Sequence, residues 1–292
     1  MTFNDNANIG GGRVSKRGRN AALGAGGGGL IVIALFVVSQ LVGVDLTGLA
    51  PVIQGGGTPT DQSTDLDKCQ TGEDANEDIE CRMVGAAAAL DTYWETQVDG
   101  YTSPADMVIF TDSVSTGCGN ATSATGPFYC PPDQKIYLDT AFYDDLRTQF
   151  GATGGPLAQL YVVAHEWGHH IQNITGTMNG LDLQDQGPTS DGVRLELQAD
   201  CYAGSWVKAA STVPDENGVP FLEVPTDAEI ADALNAAAAV GDDHIQETMG
   251  GGQVNPETWT HGSSESRQKW FTTGYTQGVG ACDTFAVSGS EL

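Results

Sequence analysis

Apolar positions along this chain fall into two regimes. Between Ala21 and Val44 no residue is charged, and Leu30 to Val38 is a continuous apolar run, continued by Leu41, Val42 and Val44. A helix of roughly 20 such residues matches a bilayer core of about 30 Å, so residues 21–44 are expected to form a transmembrane signal anchor. A cleaved signal peptide is the competing reading, and the run Gly26–Gly29 softens the start of the span. Against it, no small-residue A-x-A site follows, and the apolar stretch is long for such a peptide. Residues 45–66 are rich in Gly, Pro, Thr and Asp, including Gly55-Gly56-Gly57, which is the composition of a flexible linker.

From residue 67 the pattern is that of a folded body. Residues 82–98 read as a helix with Met83, Ala87, Leu90 and Trp94 on one stripe. Short apolar runs at Met107–Phe110 and Ile136–Leu138, bounded by Gly, Pro and Asp, read as strands. The glycine-containing segment between them should be a loop or hairpin. Thr140–Phe150 reads as a short helix stopped by Gly151, and a longer helix should run from Pro156 to about Asn173. Further helices are expected over residues 192–210 and, alanine-rich, over 227–240. The tail, with Trp259, Trp270 and Phe271, should pack against the rest. No internal repeat is visible. The expected class is α+β, mainly helical, with a small sheet in a body spanning residues 67–292.

Charge adds direction to this picture. The net charge is −26, yet Arg13, Lys16, Arg17 and Arg19 cluster before the apolar run. From position 45 onward 8 basic residues face 37 acidic ones. Such an acidic body repels phosphate backbones and anionic headgroups, which argues against a nucleic-acid partner. Residues 1–20 are therefore expected to be a basic cytoplasmic head, leaving the body outside the cell membrane as a single-pass protein. The six cysteines, Cys69, Cys81, Cys118, Cys130, Cys201 and Cys282, agree with an oxidising compartment. They allow 15 pairings. Economy of loop closure favours Cys69–Cys81 and Cys118–Cys130, leaving Cys201–Cys282. A zinc site made of cysteine is disfavoured, because no C-x-x-C spacing occurs.

His165-Glu166-Trp167-Gly168-His169 carries the candidate chemistry. On a helix, residues four apart lie about 40° apart on one face, so both imidazoles can converge on one metal ion. Glu166 projects about 100° from His165, close enough to meet a water at the metal without ligating it. Leu160, Val163, Trp167, Ile171 and Ile174 form a separate apolar face. Gly168, which costs about 1 kcal/mol in a helix interior, suggests crowding by a neighbouring segment. His170 points about 140° from His165 and should pack or hydrogen-bond instead. Zinc needs a third protein ligand and an open position. Glu196, 27 residues after His169 on the next helix, can complete the set, and Asp200 one turn on can fix a ligand histidine's tautomer. A solvated acidic face is the bland alternative, but Ala199, Cys201, Ala203 and Trp206 surround the pair.

This combination, H-E-x-x-H followed by a helical E-x-x-x-D, resembles the gluzincin metallopeptidases. Within them the chain resembles the bacterial predicted neutral zinc metallopeptidase family along nearly its whole length. The likeness rests on the basic head before an apolar span, Thr116-Gly117-Cys118-Gly119, Gly126-Pro127-Phe128-Tyr129-Cys130-Pro131, and Ala164 to Gln172. It continues through Glu196 to Cys201, Gly241-Asp242-Asp243, His261 to Glu265, and Ala281 to Phe285. The resemblance implies a zincin-like metallopeptidase domain that binds Zn2+ and hydrolyses a peptide or protein substrate, with Glu166 as general base toward metal-activated water. An oxyanion donor is also implied, and His261, His244 and Tyr202 are the available groups, His261 being favoured for its small-residue loop. By analogy with related zincins, Lys135–Asp139 would be an edge strand that pairs with an extended peptide. Two alternatives stay open. One is a tethered, non-catalytic ectodomain whose zinc is closed by a fourth ligand such as His261; the other is a peptidase released by cleavage near the linker.

Overall fold

The computed structural model describes residues 2–17, 66–248 and 250–292. The expected span (21–44), and the expected linker (45–66) except Leu66, lie outside the described residues. Among those described, no helix is long and apolar enough to cross a membrane.

The described residues form six strands: β1 (Val14–Arg17), β2 (Asp106–Phe110), β3 (Ser113–Thr116), β4 (Gly119–Thr122), β5 (Phe128–Cys130) and β6 (Lys135–Asp139). Four make a sheet in the order β1-β2-β6-β5, in which β5 alone runs antiparallel to its neighbour. β2 is buried on both faces, and its period-2 alternation divides the work. Met107 and Ile109 join the main core, while Val108 and Phe110 meet Val114 and Ala121 of the β3–β4 hairpin. The hairpin and β5 are cross-linked by Cys118–Cys130, as the loop reading expected. One expectation is corrected here. β6 is an inner strand between β2 and β5, so the free edge on that side belongs to β5.

Among the described residues eight α-helices follow or precede the sheet: α1 (Gly72–Glu77), α2 (Ile79–Gln97), α3 (Phe142–Thr148), α4 (Pro156–Ile174), α5 (Asp191–Ala209), α6 (Asp227–Ala239), α7 (Asp242–Thr248) and α8 (Ser264–Gln277). Local chemistry sets their starts. Pro156 sits in the first turn of α4, Ser190 caps α5 by accepting from the Val193 N–H, and Thr226 with Glu229 closes a capping box on α6. Cys69–Cys81 ties the approach of α1 to α2.

Close helix contacts position the site. A Cβ on Gly168 of α4 would lie 3.0 Å from the Ala199 Cα of α5, the crowding its place in a helix suggested. α5 and α8 approach more tightly still: a Cβ on Gly274 would fall 1.8 Å from the Cys201 carbonyl oxygen, and one on Gly204 2.0 Å from that of Phe271. The Cys201–Cys282 disulfide fastens this crossing.

The N-terminal residues, expected as a head apart from the body, are built into it instead. β1 continues the sheet through its parallel pairing with β2, and Phe3, Ala7 and Ile9 are fully buried in the main core.

Candidate metal centre

α4 and α5 lie side by side, which brings His165 and His169 opposite Glu196. One ligand atom from each of the three lies within 4.8 Å of the others, and among the described residues this is the one such group. His165 Nε2 is 3.0 Å from Glu196 Oε2, and His169 Nε2 is 3.5 Å from Glu196 Oε1.

What stands behind each histidine fixes its tautomer. His165 Nδ1 donates to Asp200 Oδ1 at 2.8 Å, and His169 Nδ1 donates to Gln172 Oε1 at 2.8 Å. Gln172 is itself held, since its amide donates to the Leu195 carbonyl and to Gln198 Oε1. With both Nδ1 atoms so engaged, both Nε2 atoms are left to face the Glu196 carboxylate. A cation must lie between them, a proton in the metal-free protein or a metal ion in its place, so this N2O donor set fits zinc.

Asp200 is fully buried and bonded on every side. Arg267 donates to it through Nε at 2.8 Å and Nη2 at 3.0 Å, and the Tyr161 hydroxyl donates to the same oxygen as His165. Burial opposes its charge, but Arg267 and His165 hold its pKa below the usual range. Burial would likewise lower His165, but the carboxylates of Asp200 and Glu196 at its two nitrogens raise it to about 10 in the metal-free protein. For Glu196, burial works against ionisation, yet His169, His261 and His165 hold its pKa well below the ordinary value.

Glu166 is 8% exposed and lines the same cavity, of about 530 Å³, as His165, His169, Glu196, His261 and Arg267. Burial raises its pKa, opposed by His169 and His165. His261 is held from behind by Asp242, whose Oδ2 accepts the backbone N–H groups of Thr260, His261 and Gly262 at 2.7, 2.6 and 2.9 Å. The imidazole Nδ1 lies 3.5 Å from Asp242 Oδ1 and 2.9 Å from the Thr260 hydroxyl. Burial would lower the His261 pKa, but Glu196 and Asp242 raise it.

The other candidates are elsewhere. His244 Nε2 bonds the Phe150 carbonyl at 2.9 Å, and Tyr202 packs edge-on against Trp94, its pKa pushed up to about 12 by burial. Neither lines the cavity. His170 is buried between the Tyr129 hydroxyl and the Thr102 carbonyl, a packing role as expected. His261 is not one of the three residues whose ligand atoms converge.

Sequence reasoning left Arg267, Tyr161, Gln172 and Asp242 without roles. Arg267 carried a usable signal, being one of only 8 basic residues against 37 acidic ones from position 45 onward. Asp242 stood inside a quoted motif, but nothing in its spacing joined it to His261.

Two histidines one turn apart, a carboxylate from the next helix and a buried glutamate beside them define the metallopeptidase class of site. The comparisons carry this to a family: the one described as "Putative neutral zinc metallopeptidase" matches residues 2–285, and the chain belongs to it. An uncharacterized protein of Mycobacterium tuberculosis is 54% identical over 226 residues, covering 77% of this chain and 76% of its own. The uncharacterized protein YpfJ of Escherichia coli is 38% identical over 283 residues, covering 94% of this chain and 92% of its own. No solved structure matches.

Proposed function

We propose that the protein is a zinc-dependent endopeptidase whose metal is held by His165, His169 and Glu196 and whose general base is Glu166. The observation that carries this reading is the convergence of both Nε2 atoms on Glu196 beside a buried Glu166 in one cavity. Zinc at such a site supplies Lewis acidity, polarising a carbonyl and making a water more acidic.

The remaining roles belong to the chain's own groups. Glu166, its basicity raised by burial, accepts the proton of the attacking water and passes it to the leaving nitrogen. His261, whose pKa is raised by Glu196 and Asp242 against the effect of burial, donates a hydrogen bond to the carbonyl oxygen as charge develops there. Asp200 and Gln172 keep the ligand imidazoles in the tautomer that presents Nε2. β5, the last strand of the sheet on this side, contributes Phe128 and Tyr129 to the cavity wall and is where an extended peptide would pair.

The site of action in this reading is outside the cytoplasm, at the membrane, with residues 21–44 as the attachment. Three disulfides in the body support an oxidising compartment. The test is a peptide library incubated with purified protein before and after chelation. Cleavage should disappear with the metal and return on adding zinc. Cleavage that persists in fully chelated protein would remove the zinc-dependent reading.

A further inference from the structure

Residues 2–17 precede the apolar run and residues 66–292 follow it, yet they form one folded unit. The contact is made by backbone as much as by side chains. The Asn4 N–H donates to the Phe221 carbonyl at 2.9 Å, and Glu223 N–H returns a bond to Thr2 at 2.9 Å. Ile9 N–H donates to the Gln70 carbonyl at 3.0 Å, while Gly72 N–H donates to that of Ala7 at 2.9 Å. Asn8 N–H meets Asp215 Oδ2 at 2.7 Å, and Met107 N–H meets the Arg13 carbonyl at 2.8 Å. Lys16, one of the clustered basic residues, pairs with Glu80 at 3.0 Å.

The body is also shaped to receive this arm. A Cβ on Gly72 would fall 1.9 Å from the Asn4 carbonyl oxygen, and one on Gly85 2.6 Å from the Phe3 ring. Phe3, Ala7 and Ile9 have at most 2% of their surface exposed. The family match includes the arm, since it begins at residue 2.

Hydrogen bonds of about 3 Å cannot reach across a hydrocarbon layer of about 30 Å. We infer that the N-terminus lies on the same side of the membrane as the zinc site. The positive-inside expectation for residues 1–20 then fails because Lys16 finds its counter-charge on the acidic body rather than at the cytoplasmic face. With the body outside, the basic N-terminus is outside too.

Two measurements on the full chain in its membrane test this. Asn8 and Thr71 face each other across an antiparallel bridge flanked by the bonds of Ile9 and Gly72. Such a non-hydrogen-bonded pair has Cα atoms about 4.5 Å apart, within disulfide range. The double variant Asn8→Cys/Thr71→Cys should form a disulfide between positions 8 and 71, seen by mass spectrometry of thiol-blocked peptides beside the three native ones. A free thiol at position 8 with the native three formed would overturn the inference. Independently, Asn6→Cys and Val224→Cys, both at exposed positions, are labelled with an impermeant maleimide in sealed spheroplasts. Equal labelling of the two, whether before or only after permeabilisation, supports a shared side. Labelling of position 224 in sealed spheroplasts with position 6 reached only after permeabilisation overturns it.

Discussion

Asp200 accepts hydrogen bonds from His165, Tyr161 and twice from Arg267 while fully buried, so its charge depends entirely on those partners. Removing the guanidinium takes away that carboxylate's two-pronged cationic partner in the core, and breaking such a buried pair typically costs about 3–5 kcal/mol. Arg267→Met should therefore destabilise the protein by that order in denaturant titration. Zinc affinity should fall by about 10–100-fold through misplacement of His165, a drop characteristic of groups behind the ligands. Glu196→Ala removes a ligand outright, so calorimetric zinc titration should show a larger loss than for Arg267→Met. Asp242 offers a pH-dependent case. Burial opposes its charge, but His261 and the backbone donors hold its pKa below the ordinary 3.8. Its stabilisation is thus fully present above the unfolded carboxylate range and is lost as pH falls through the folded value. Asp242→Asn should cost on the order of 2 kcal/mol at neutral pH, and the gap to the parent should close in acid, read as unfolding midpoints against pH.

At the scale of elements, the crossing of α5 and α8 is the least forgiving contact. Gly274→Ala would drive a methyl into the Cys201 carbonyl and should cost about 3 kcal/mol or more, with loss of zinc as Arg267 shifts. Gly280→Ala, where a Cβ meets nothing within 4 Å, should stay within about 0.5 kcal/mol in the same thermal melts. The elements that were legible in the sequence are those with a strong period or clear punctuation. α4 and α5 matched within a few residues, and β2 and β6 were found as apolar runs between breakers. α8 was missed because its sequence, SESRQKWFTTGYTQ, is polar and interrupted by Trp270, Phe271, Gly274 and Tyr275, and it is stabilised by packing on α5 rather than by an apolar stripe. β1 was missed because Val14-Ser15-Lys16-Arg17 reads as solvated and basic; only its partner β2, nearly 90 residues on, makes it a strand. The same distance hid the roles of Arg267 and Asp242, which reach the site from far along the chain, whereas His165, Glu166 and His169 announce themselves by spacing within one helix.

For the whole molecule, the acidic surface and the zinc site act together. With 37 acidic and 8 basic residues from position 45 onward, the protein favours the approach of neutral or cationic peptides over anionic ones, an effect that salt screens. Raising ionic strength should therefore slow cleavage of a basic peptide more than that of its neutral counterpart, measured as kcat/KM. The arm, sheet and helices form one core, so the ligand geometry rests on the entire fold rather than on the motif alone. The central claim is tested most directly by zinc content and peptide hydrolysis measured on one preparation of the wild type and of Glu166→Gln. Both proteins should bind one zinc per chain, and only the wild type should cleave, because the substitution removes the base while leaving His165, His169 and Glu196 in place. Equal cleavage by the variant, or a wild type that cleaves without zinc, would contradict it.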